Sequence, residues 1–426
     1  MTATITAQEG EALYTFVSTV CKEIGPRMPC STAEARAAEL IKAEMQKTCD
    51  DVAIEPFTCA PGGLLGWIRI DIVLVAISFI FYLATPHVLP GTAGIALYGA
   101  CIALVLAAWV ITWKQFFSYE EFIDRFFKKA SSQNVVGRIM PASEITRVIA
   151  FSGHHDSAPR YNLLEYAGGV GYGVVILWGF GILGLWTATL LVAALQSIMG
   201  ADIGETNEFS AWLMVIGSPA LLILWFFKTS SARGNVVPGA VDNLSAVSIV
   251  IAIGKYVRAH PEIVPENTEI RLLSFGCEEA GLRGAYRYVE AHRDELKNEN
   301  FQLVNMDGLQ SPKSFMIFSF EPTTRTPHDP RVTRNLIDAA KGAGVEVHPF
   351  GNHLQDKIAG FFSGGTDAAA FSKEKIPACS FGAMDVLKYV NNYHTSRDSP
   401  DRIEPGTLEA ALRICLNYIE NEKKHG

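Results

Sequence analysis

Two long stretches of the chain carry no charged residue. The first runs from Ile72 to Trp113, 42 residues interrupted only by the turn-like sequence PHVLPGT at 86–92. The second runs from Tyr166 to Ala201 and is followed, after the acidic loop DIGETNE, by an uncharged segment from Phe209 to Phe227. Because about 20 apolar residues span a bilayer as a helix, the pattern predicts about four transmembrane helices in two hairpins. Buried core helices are the alternative, although cores rarely need helices that are apolar on every side.

The charges at the ends of these segments predict their orientation. Neither connecting loop contains Lys or Arg, whereas basic residues flank the opposite ends: Arg69, Lys114, Arg125, Lys128, Lys129, Arg160, Lys228 and Arg233. The positive-inside rule therefore predicts an integral, multi-pass membrane protein whose termini and remaining sequence, the bulk of the protein, lie on the cytoplasmic side. The N-terminal sequence lacks the pattern of a cleaved signal peptide. The eight cysteines show no CxxC spacing, which favours free thiols in a reducing compartment.

The remaining sequence alternates between strand-like and helix-like segments. Ser31 and Glu34 have the spacing of a capping box that opens a helix reaching about Gln46, and further helices are predicted over 244–258 and 282–295. The predicted strands are RVIAF (147–151), IRLLSF (270–275), FQLVNM (301–306), FMIFSF (315–320) and PACSF (377–381). Strands that alternate with helices favour an α/β fold with a twisted, largely parallel sheet covered on both faces.

The two hairpins interrupt this alternation, so we expect them to be insertions in one discontinuous domain. That domain is predicted to comprise residues 1–63, 118–162 and 230–426, with hairpins at 64–117 and 163–229. The composition agrees with a membrane protein, because 49% of the residues are hydrophobic and the mean hydropathy is positive. The net charge of −8 gives no support for a nucleic-acid partner.

Polar side chains follow several predicted strands at the point where each strand ends. The sequence GHHDS, with His154 and Asp156, follows the first strand, Glu278 and Glu279 follow the second, and Asp307 follows the third. In an open α/β sheet, functional sites gather at the carboxyl ends of the strands. Taken alone, the glutamate pair is more typical of an exposed pair at a helix N-terminus.

Two further residues extend this set. Asp242 stands in VPGAVDNLSA at the probable start of a helix, where an ordinary N-cap is the alternative, and His394 stands in NNYHTSRDS. Imidazole and carboxylate groups together are the ligands expected for zinc and neighbouring metals. Because crowded carboxylates repel one another, such a cluster is stable only when cations neutralise it. The sequence therefore predicts a metal site.

The order of these motifs resembles the M28 family of metallopeptidases, the co-catalytic zinc aminopeptidases and their relatives. The motifs are GHHDS, PGAVDN, CEEAGLRG, NMDG and YHTSRDS, and the early sequence GPRMPCSTAEARAAELI at 25–41 is also similar to that family's first helices. The resemblance implies a zinc-exopeptidase-like, three-layer α/β/α domain with a mixed, largely parallel sheet. One departure is visible in GGTDAAAF, where Ala368 replaces the histidine that often follows the family's Ser/Thr-Asp pair.

The resemblance also implies a role for each residue. His154 and Asp307 would hold one zinc ion, Glu279 and His394 would hold the other, and Asp242 would bridge the two ions with a water or hydroxide. Co²⁺ or Mn²⁺ are the expected substitutes.

The same resemblance assigns the two catalytic residues. Glu278 would be the general base that activates the bridging water, and Asp156 would orient the ring of His154. His155 would be the intervening residue without a metal contact.

These roles predict a membrane-anchored aminopeptidase that acts on peptides, hydrophobic ones among them, beside the lipid bilayer. A glutaminyl cyclase with a single zinc ion is an alternative, because such cyclases resemble this family. A catalytically silent receptor or scaffold on a peptidase fold is another, as is carboxypeptidase or amidase action. The sequence does not fix the oligomeric state.

Overall fold

The chain divides into two compact units in a computed structural model that describes residues 5–88, 92–229, 234–321, 323–350, 364–384 and 390–425. The sheet unit comprises residues 1–61, 129–160 and 230–426, and the helical unit comprises residues 62–128 and 161–229. Both predicted hairpin segments fall within the helical unit. The predicted turn at 86–92 includes residues 89–91, which lie outside the described part of the chain.

The sheet unit contains alternating helices and strands. Its α-helices are α1 (Ala7–Glu23), α2 (Thr32–Met45), α7 (Ser245–Ala259), α8 (Arg283–Ala291), α9 (Arg293–Asn298), α10 (Pro330–Gly342), α11 (Ala368–Lys373) and α12 (Thr407–His425). Its strands are β1 (Asp51–Cys59), β2 (Ala130–Ile139), β3 (Arg147–His154), β4 (Thr268–Phe275), β5 (Asn300–Leu309), β6 (Phe315–Phe318), β7 (Phe320–Glu321), β8 (Thr326–Pro327), β9 (His348–Phe350) and β10 (Ala378–Ala383). The helical unit contains α3 (Gly63–Val88), α4 (Thr92–Ile111), α5 (Asn162–Met199) and α6 (Gly204–Trp225).

Within the described residues, one sheet has the strand order β1-β2-β4-β3-β5-β10-β6-β9. Its centre is parallel, because β3 pairs in parallel with β4 and β5, and β5 pairs in parallel with β10. The pairs β1 with β2, β2 with β4, and β10 with β6 are antiparallel. This mixed and mostly parallel sheet confirms the fold class predicted from the sequence.

Alternate side chains of the central strands point to opposite faces of the sheet. Ile149 and Phe151 of β3 belong to a buried cluster that includes apolar residues of α1, α2, α7, α10 and α12. Val148 and Ala150 of the same strand belong to a second cluster, together with residues of α8, α9 and α11. The sheet therefore has helices on both faces, as the three-layer arrangement requires.

The start of α2 differs in one detail from the predicted capping box. The Ser31 side chain accepts a hydrogen bond from the Glu34 backbone N–H, as an N-cap does. The Glu34 carboxylate does not return to Ser31; it accepts from the backbone N–H of Cys30 at 2.7 Å and of Cys277 at 2.9 Å. The spacing predicted the helix start correctly. It did not predict the bond between Glu34 and Cys277, because these residues are 243 positions apart in the sequence.

Five helices in the described residues are long and apolar enough to cross a membrane. Four of them lie in the helical unit, where only 28–39% of each apolar window is buried. The fifth extends from Ala240 to Ala259, includes α7, and is 83% buried within the sheet unit. Burial thus separates a core helix from four helices whose apolar surfaces face outward.

The interior of the helical unit is organised around Trp186 of α5, which is fully buried. Its indole N–H donates to the Ser78 hydroxyl at 3.0 Å, and its ring makes edge contacts with Phe79 and Tyr82 of α3. The outer surface is also apolar, since residues such as Val174 and Leu222 are more than half exposed. Apolar residues therefore occupy both the inside and the outside of this unit.

Gly153 allows β3 to approach α7 just before His154. A Cβ atom at this position would lie 2.6 Å from the Cβ of Ala246, a separation that real atoms do not adopt. We expect Gly153→Ala to displace α7 and to lower the free energy of unfolding by about 1–3 kcal/mol. Seven of the eight cysteines lie in the sheet unit, so a thiol-reactive dye added during thermal unfolding of the full chain measures this effect.

Gly342→Ala is the matched control, because the added Cβ would make only an ordinary contact, 3.5 Å from the Asn417 amide nitrogen. That variant should unfold at or slightly above the wild-type temperature. Equal unfolding temperatures for Gly153→Ala and the wild type would contradict the close packing of β3 against α7.

Candidate metal centre

The ends of three neighbouring parallel strands bring acidic and imidazole side chains to one edge of the sheet. His154 is the last residue of β3 and pairs with Phe275, the last residue of β4. A short 3₁₀ turn, Glu278–Ala280, follows β4, and Asp307 lies near the end of β5. The sequence predicted this convergence because carboxyl ends of parallel strands meet at the same edge.

His154 lies at the centre of the cluster and is only 1% exposed. Its Nε2 atom is 3.0 Å from an Asp242 carboxylate oxygen, 3.7 Å from Glu278 and 4.0 Å from Asp307. Its Nδ1 atom is 3.3 Å from the Asp156 carboxylate. One ring nitrogen therefore faces the cluster, while the other faces the carboxylate that the sequence assigned to orient it.

The Asp242 carboxylate lies between two imidazole rings. One oxygen faces His154, and the other is 3.3 Å from Nε2 of His394, which is itself 3.1 Å from a Glu279 oxygen. The potential ligand atoms of His154, Asp242 and Glu279 all lie within 4.8 Å of one another. The structure thus brings the predicted metal ligands together, and their division between two ions stays a prediction.

Asp156 has a second contact that the sequence did not predict. Its two carboxylate oxygens accept hydrogen bonds from the backbone N–H groups of Glu278 at 3.1 Å and Glu279 at 3.0 Å. The side chain is fully buried, so solvent does not compete for these bonds. Asp156 therefore fixes the His154 ring and the glutamate turn relative to each other.

Asp398 is a functional candidate that sequence reasoning missed. Its carboxylate accepts from the backbone N–H of Val241 at 2.8 Å and of Asp242 at 3.3 Å, and its backbone carbonyl accepts from Ala240. It lies four residues after His394 in the motif YHTSRDS. Its place in that motif was the available signal, and its role is to hold the segment that carries Asp242.

His155 is a packed neighbour, in agreement with its expected role. The ring is fully buried, and its Nδ1 lies 3.0 Å from the Ser274 hydroxyl. Burial lowers the pKa of His155 to about 4, because the charged ring would lose its hydration. It is therefore a neutral core residue.

Asp367 adds a further buried carboxyl group to the region. It is 1% exposed, and neither carboxylate oxygen has a hydrogen-bond partner within the described residues. Burial raises its pKa to about 8. The preceding Thr366 is held by hydrogen bonds to Glu321, whereas Ala368, which replaces the family's usual histidine, packs in the apolar cluster of α8 and α11.

The electrostatics of the cluster fit a site for divalent cations. Burial raises the pKa values of Glu278 and Asp307 well above the ordinary range, and repulsion from Glu279 and Asp242, respectively, adds to this rise. Burial opposes protonation of His394, but the carboxylates of Glu279 and Asp242 raise its pKa to about 9. Protons thus compensate for excess negative charge here, and divalent cations would replace them.

The donor chemistry leads to the same conclusion. Neutral imidazole and carboxylate oxygens are preferred zinc ligands, and the candidate ligands come from different elements that the fold holds in place. Asp156 and Asp398 hold the surrounding segments through backbone hydrogen bonds, as outer carboxylates commonly do in metal sites. The residues present therefore fit a metal centre.

Comparison with known sequences agrees with this chemistry. The sequence model of Peptidase family M28 matches residues 228–419, a range that includes Asp242, Glu278, Glu279, Asp307 and His394. Aminopeptidase YwaD from Bacillus subtilis (strain 168) is 27% identical over 196 residues. That match covers 44% of this chain and only 39% of the relative.

Comparison with solved structures supports the fold. A zinc aminopeptidase from Bacillus subtilis, BSAP, superposes with a TM-score of 0.54 and 15% identity over 97% of this chain and 95% of that one. A glutaminyl cyclase from an Acidobacteriales bacterium superposes with a TM-score of 0.55 and 14% identity over 100% and 98% of the two chains. Identities this low establish a shared fold only.

The double contact of Asp156 predicts the effect of Asp156→Asn. An amide cannot accept from both backbone N–H groups and also balance charge on His154, so we expect metal affinity to fall about 10–100-fold. Competition with a chelator on the purified full chain measures this loss. Asp401→Asn, at an exposed carboxylate, is the control and should retain wild-type affinity. Unchanged affinity in Asp156→Asn would rule out the orienting role.

Proposed function

We propose that this chain, whose residues 228–419 match the M28 peptidase family, is a metallopeptidase and, more specifically, a membrane-anchored, zinc-dependent aminopeptidase. The observation that carries the proposal is the position of the Asp242 carboxylate between His154 and His394, with Glu278 beside them. A carboxylate with one oxygen toward each imidazole suits a bridge between two metal ions.

We assign the ligands to two zinc ions accordingly. His154 and Asp307 would bind one ion, Glu279 and His394 would bind the other, and Asp242 would bind both, with Co²⁺ or Mn²⁺ as substitutes. When bound, such ions polarise the scissile carbonyl and make water acidic enough to react near neutral pH.

Glu278 is proposed as the general base. Its carboxylate is nearly buried and lies 3.7 Å from the His154 ring, while Asp156 holds its backbone N–H. A raised pKa suits a group that takes a proton from the attacking water. The water oxygen then forms its bond to the carbonyl carbon, the C–N bond breaks, and Glu278 passes the proton to the departing amine.

The buried Asp367 carboxyl supports action at the N-terminus of a peptide. A free α-ammonium group carries a positive charge that would stabilise the ionised form of the Asp367 carboxyl, whose pKa burial raises to about 8, whereas a C-terminal carboxylate would not. This charge preference favours an aminopeptidase over a carboxypeptidase.

Glutaminyl cyclisation is the second candidate, because several cyclases share the fold. A cyclase that uses one zinc ion would not require a full second set of ligands. The presence of Asp242, Glu279, Asp307 and both histidines in one cluster favours the peptidase. The same complete set argues against a silent receptor or scaffold.

We further propose that the helical unit anchors the protein in a lipid bilayer. Four long apolar helices with outward-facing apolar side chains support this, and peptides with hydrophobic N-terminal residues are the expected substrates. The termini and the sheet unit are proposed to lie on the cytoplasmic side, because the basic flanking residues favour that side.

Glu278→Gln tests the mechanism. The amide keeps the shape of the side chain but cannot take a proton, so kcat toward aminoacyl-p-nitroanilides should fall about 10²–10⁴-fold. Metal content should remain at the wild-type value, because Glu278 is not assigned as a ligand. A panel of apolar, acidic and basic aminoacyl groups, with a glutaminyl peptide included, measures side-chain preference and cyclisation together.

Two further variants complete this experiment. Glu279→Gln should lose both metal and activity, whereas Glu290→Gln, at an exposed position of α8, should lose neither. Formation of pyroglutamate without hydrolysis of the panel would favour the cyclase. A metal-loaded wild type that is inactive on every substrate would contradict an enzymatic function on free N-termini.

The membrane proposal predicts where reporter domains are active. A fluorescent protein fused after the C-terminus should fluoresce, because that terminus is proposed to lie in the cytoplasm. Alkaline phosphatase inserted after Asp202, in the loop between α5 and α6, should be active, because that loop is proposed to lie outside the cytoplasm. Phosphatase fused to the C-terminus is the control and should be inactive. The reverse pattern would invert the orientation, and release of the full chain by alkaline carbonate would refute membrane insertion.

A further inference from the structure

Three cysteines that are far apart in sequence meet in the sheet unit. The Sγ atom of Cys30 lies 3.6 Å from that of Cys59 and 3.4 Å from that of Cys277. All three sulfur atoms lie within 4.8 Å of one another, and all three cysteines are free thiols. Because the three cysteines are far apart in the sequence and have no CxxC spacing, the sequence did not predict this cluster.

Each cysteine stands at the end of a different structural element. Cys30 directly precedes Ser31, the N-cap of α2, and Cys59 is the last residue of β1. Cys277 follows β4 and immediately precedes Glu278 in the sequence. Cys59 and Cys277 are buried, while Cys30 is partly exposed and gives access to the cluster.

Glu34 provides an oxygen atom beside the Cys277 thiol. It is fully buried, and its carboxylate spans the backbone N–H groups of Cys30 and Cys277. One of its oxygens also lies 3.4 Å from the Cys277 sulfur. The Glu34 carboxylate, which was expected to complete a capping box, therefore contacts the thiol cluster instead.

The spacing of these atoms is close to that of a tetrahedral metal site. With Zn–S bonds of about 2.3 Å and Zn–O bonds of about 2.0–2.2 Å, tetrahedral geometry separates two sulfurs by about 3.8 Å and a sulfur from an oxygen by about 3.5 Å. The observed separations of 3.4–3.6 Å are near these values. A disulfide would require about 2.05 Å, and thus a larger displacement.

The charges around the cluster also suit a thiolate site. Hydrogen bonds from the thiols of Cys277 and Cys30, and then the guanidinium groups of Arg283 and Arg287, lower the pKa of Cys59. Three thiolates, the Glu34 carboxylate and one Zn²⁺ ion leave a net charge of −2, which the guanidinium groups of Arg283 and Arg287 offset.

We propose that Cys30, Cys59 and Cys277 bind a zinc ion, and that a Glu34 oxygen, which lies 3.4 Å from the Cys277 sulfur, shifts toward the ion to become the fourth ligand. All four coordination positions are supplied by the protein, as in structural zinc sites, and binding releases the thiol protons. The ion ties the start of α2, the end of β1 and the Cys277–Glu279 segment together. It thereby positions the glutamate turn without touching substrate. This inference stands independently of the proposed peptidase reaction.

Cys59→Ser tests the site at a buried ligand that is remote in sequence from the glutamate turn. The purified full chain should contain one zinc ion fewer per molecule than the wild type. After replacement by Co²⁺, the thiolate-to-cobalt absorption seen in the wild type should be absent from the variant. Cys415→Ser, at a buried cysteine outside the cluster, is the matched control and should keep both the zinc ion and the absorption.

Glu279→Gln separates this site from the acidic centre. That variant should lose metal from the acidic centre yet keep the thiolate-to-cobalt absorption. An aminopeptidase assay that fails for every variant would therefore overturn the proposed function and leave the thiol site intact. Conversely, wild-type protein that lacks the cobalt absorption would overturn the thiol site alone.

A measurement on the wild type covers the case in which Cys59→Ser does not fold. Titration with an organomercurial should release one zinc ion as the three clustered thiols react, detected with a colorimetric zinc chelator. Release of no metal during their modification would refute the proposal. A Cys30–Cys277 or Cys30–Cys59 disulfide, found by mass spectrometry after alkylation without reductant, would likewise replace the metal site with a redox pair.

Discussion

The carboxylates of Asp242, Glu278 and Asp307 all lie within 4.0 Å of one imidazole, that of His154. In a buried site they repel one another strongly, so the arrangement is stable only with compensating positive charge. The parallel strands β3, β4 and β5 bring His154, Glu278 and Asp307 together, because their carboxyl ends share one edge of the sheet, and the segment before α7 adds Asp242. The carboxylates of Asp156 and Asp398 hold the surrounding turns through backbone hydrogen bonds. The fold thus concentrates negative charge that bound cations would stabilise.

Much of the site was predictable because its residues follow strands with a strong hydrophobic signal. β4 and β5 begin within two residues of their predicted positions, and the motifs after β3, β4 and β5 converge as expected. The contacts of Asp398 and Glu34 were not predictable, since each bonds a backbone segment more than 150 residues away. The thiol cluster escaped detection for the same reason. Strands β1 and β2 were also missed, because β1 is partly exposed and carries polar residues such as Asp51 and Glu55.

The two units differ in where their apolar residues lie. In the sheet unit, α7 is apolar because it is buried in the hydrophobic core of that unit. In the helical unit, Trp186 and its contacts form an apolar interior, yet the outer surface remains apolar as well. Hydropathy alone does not distinguish a core helix from a helix with an apolar outer surface, since all five helices are long and apolar enough to span a bilayer. The buried fraction of each helix separates them.

If the helical unit spans a bilayer, as proposed, the length of α5 has a consequence for the surrounding lipid. Its 38 residues would extend about 57 Å as a continuous helix, nearly twice the roughly 30 Å hydrocarbon thickness of a typical bilayer. Gly168, with a φ of 67°, interrupts the helix and leaves 31 residues beyond it, about 46 Å. A straight segment of that length would need a tilt of about 50° to stay within the hydrocarbon, beyond the usual range of 0–40°. Such hydrophobic mismatch would favour thicker membranes or local thickening around α5, so lipid composition becomes a determinant of how this protein is accommodated.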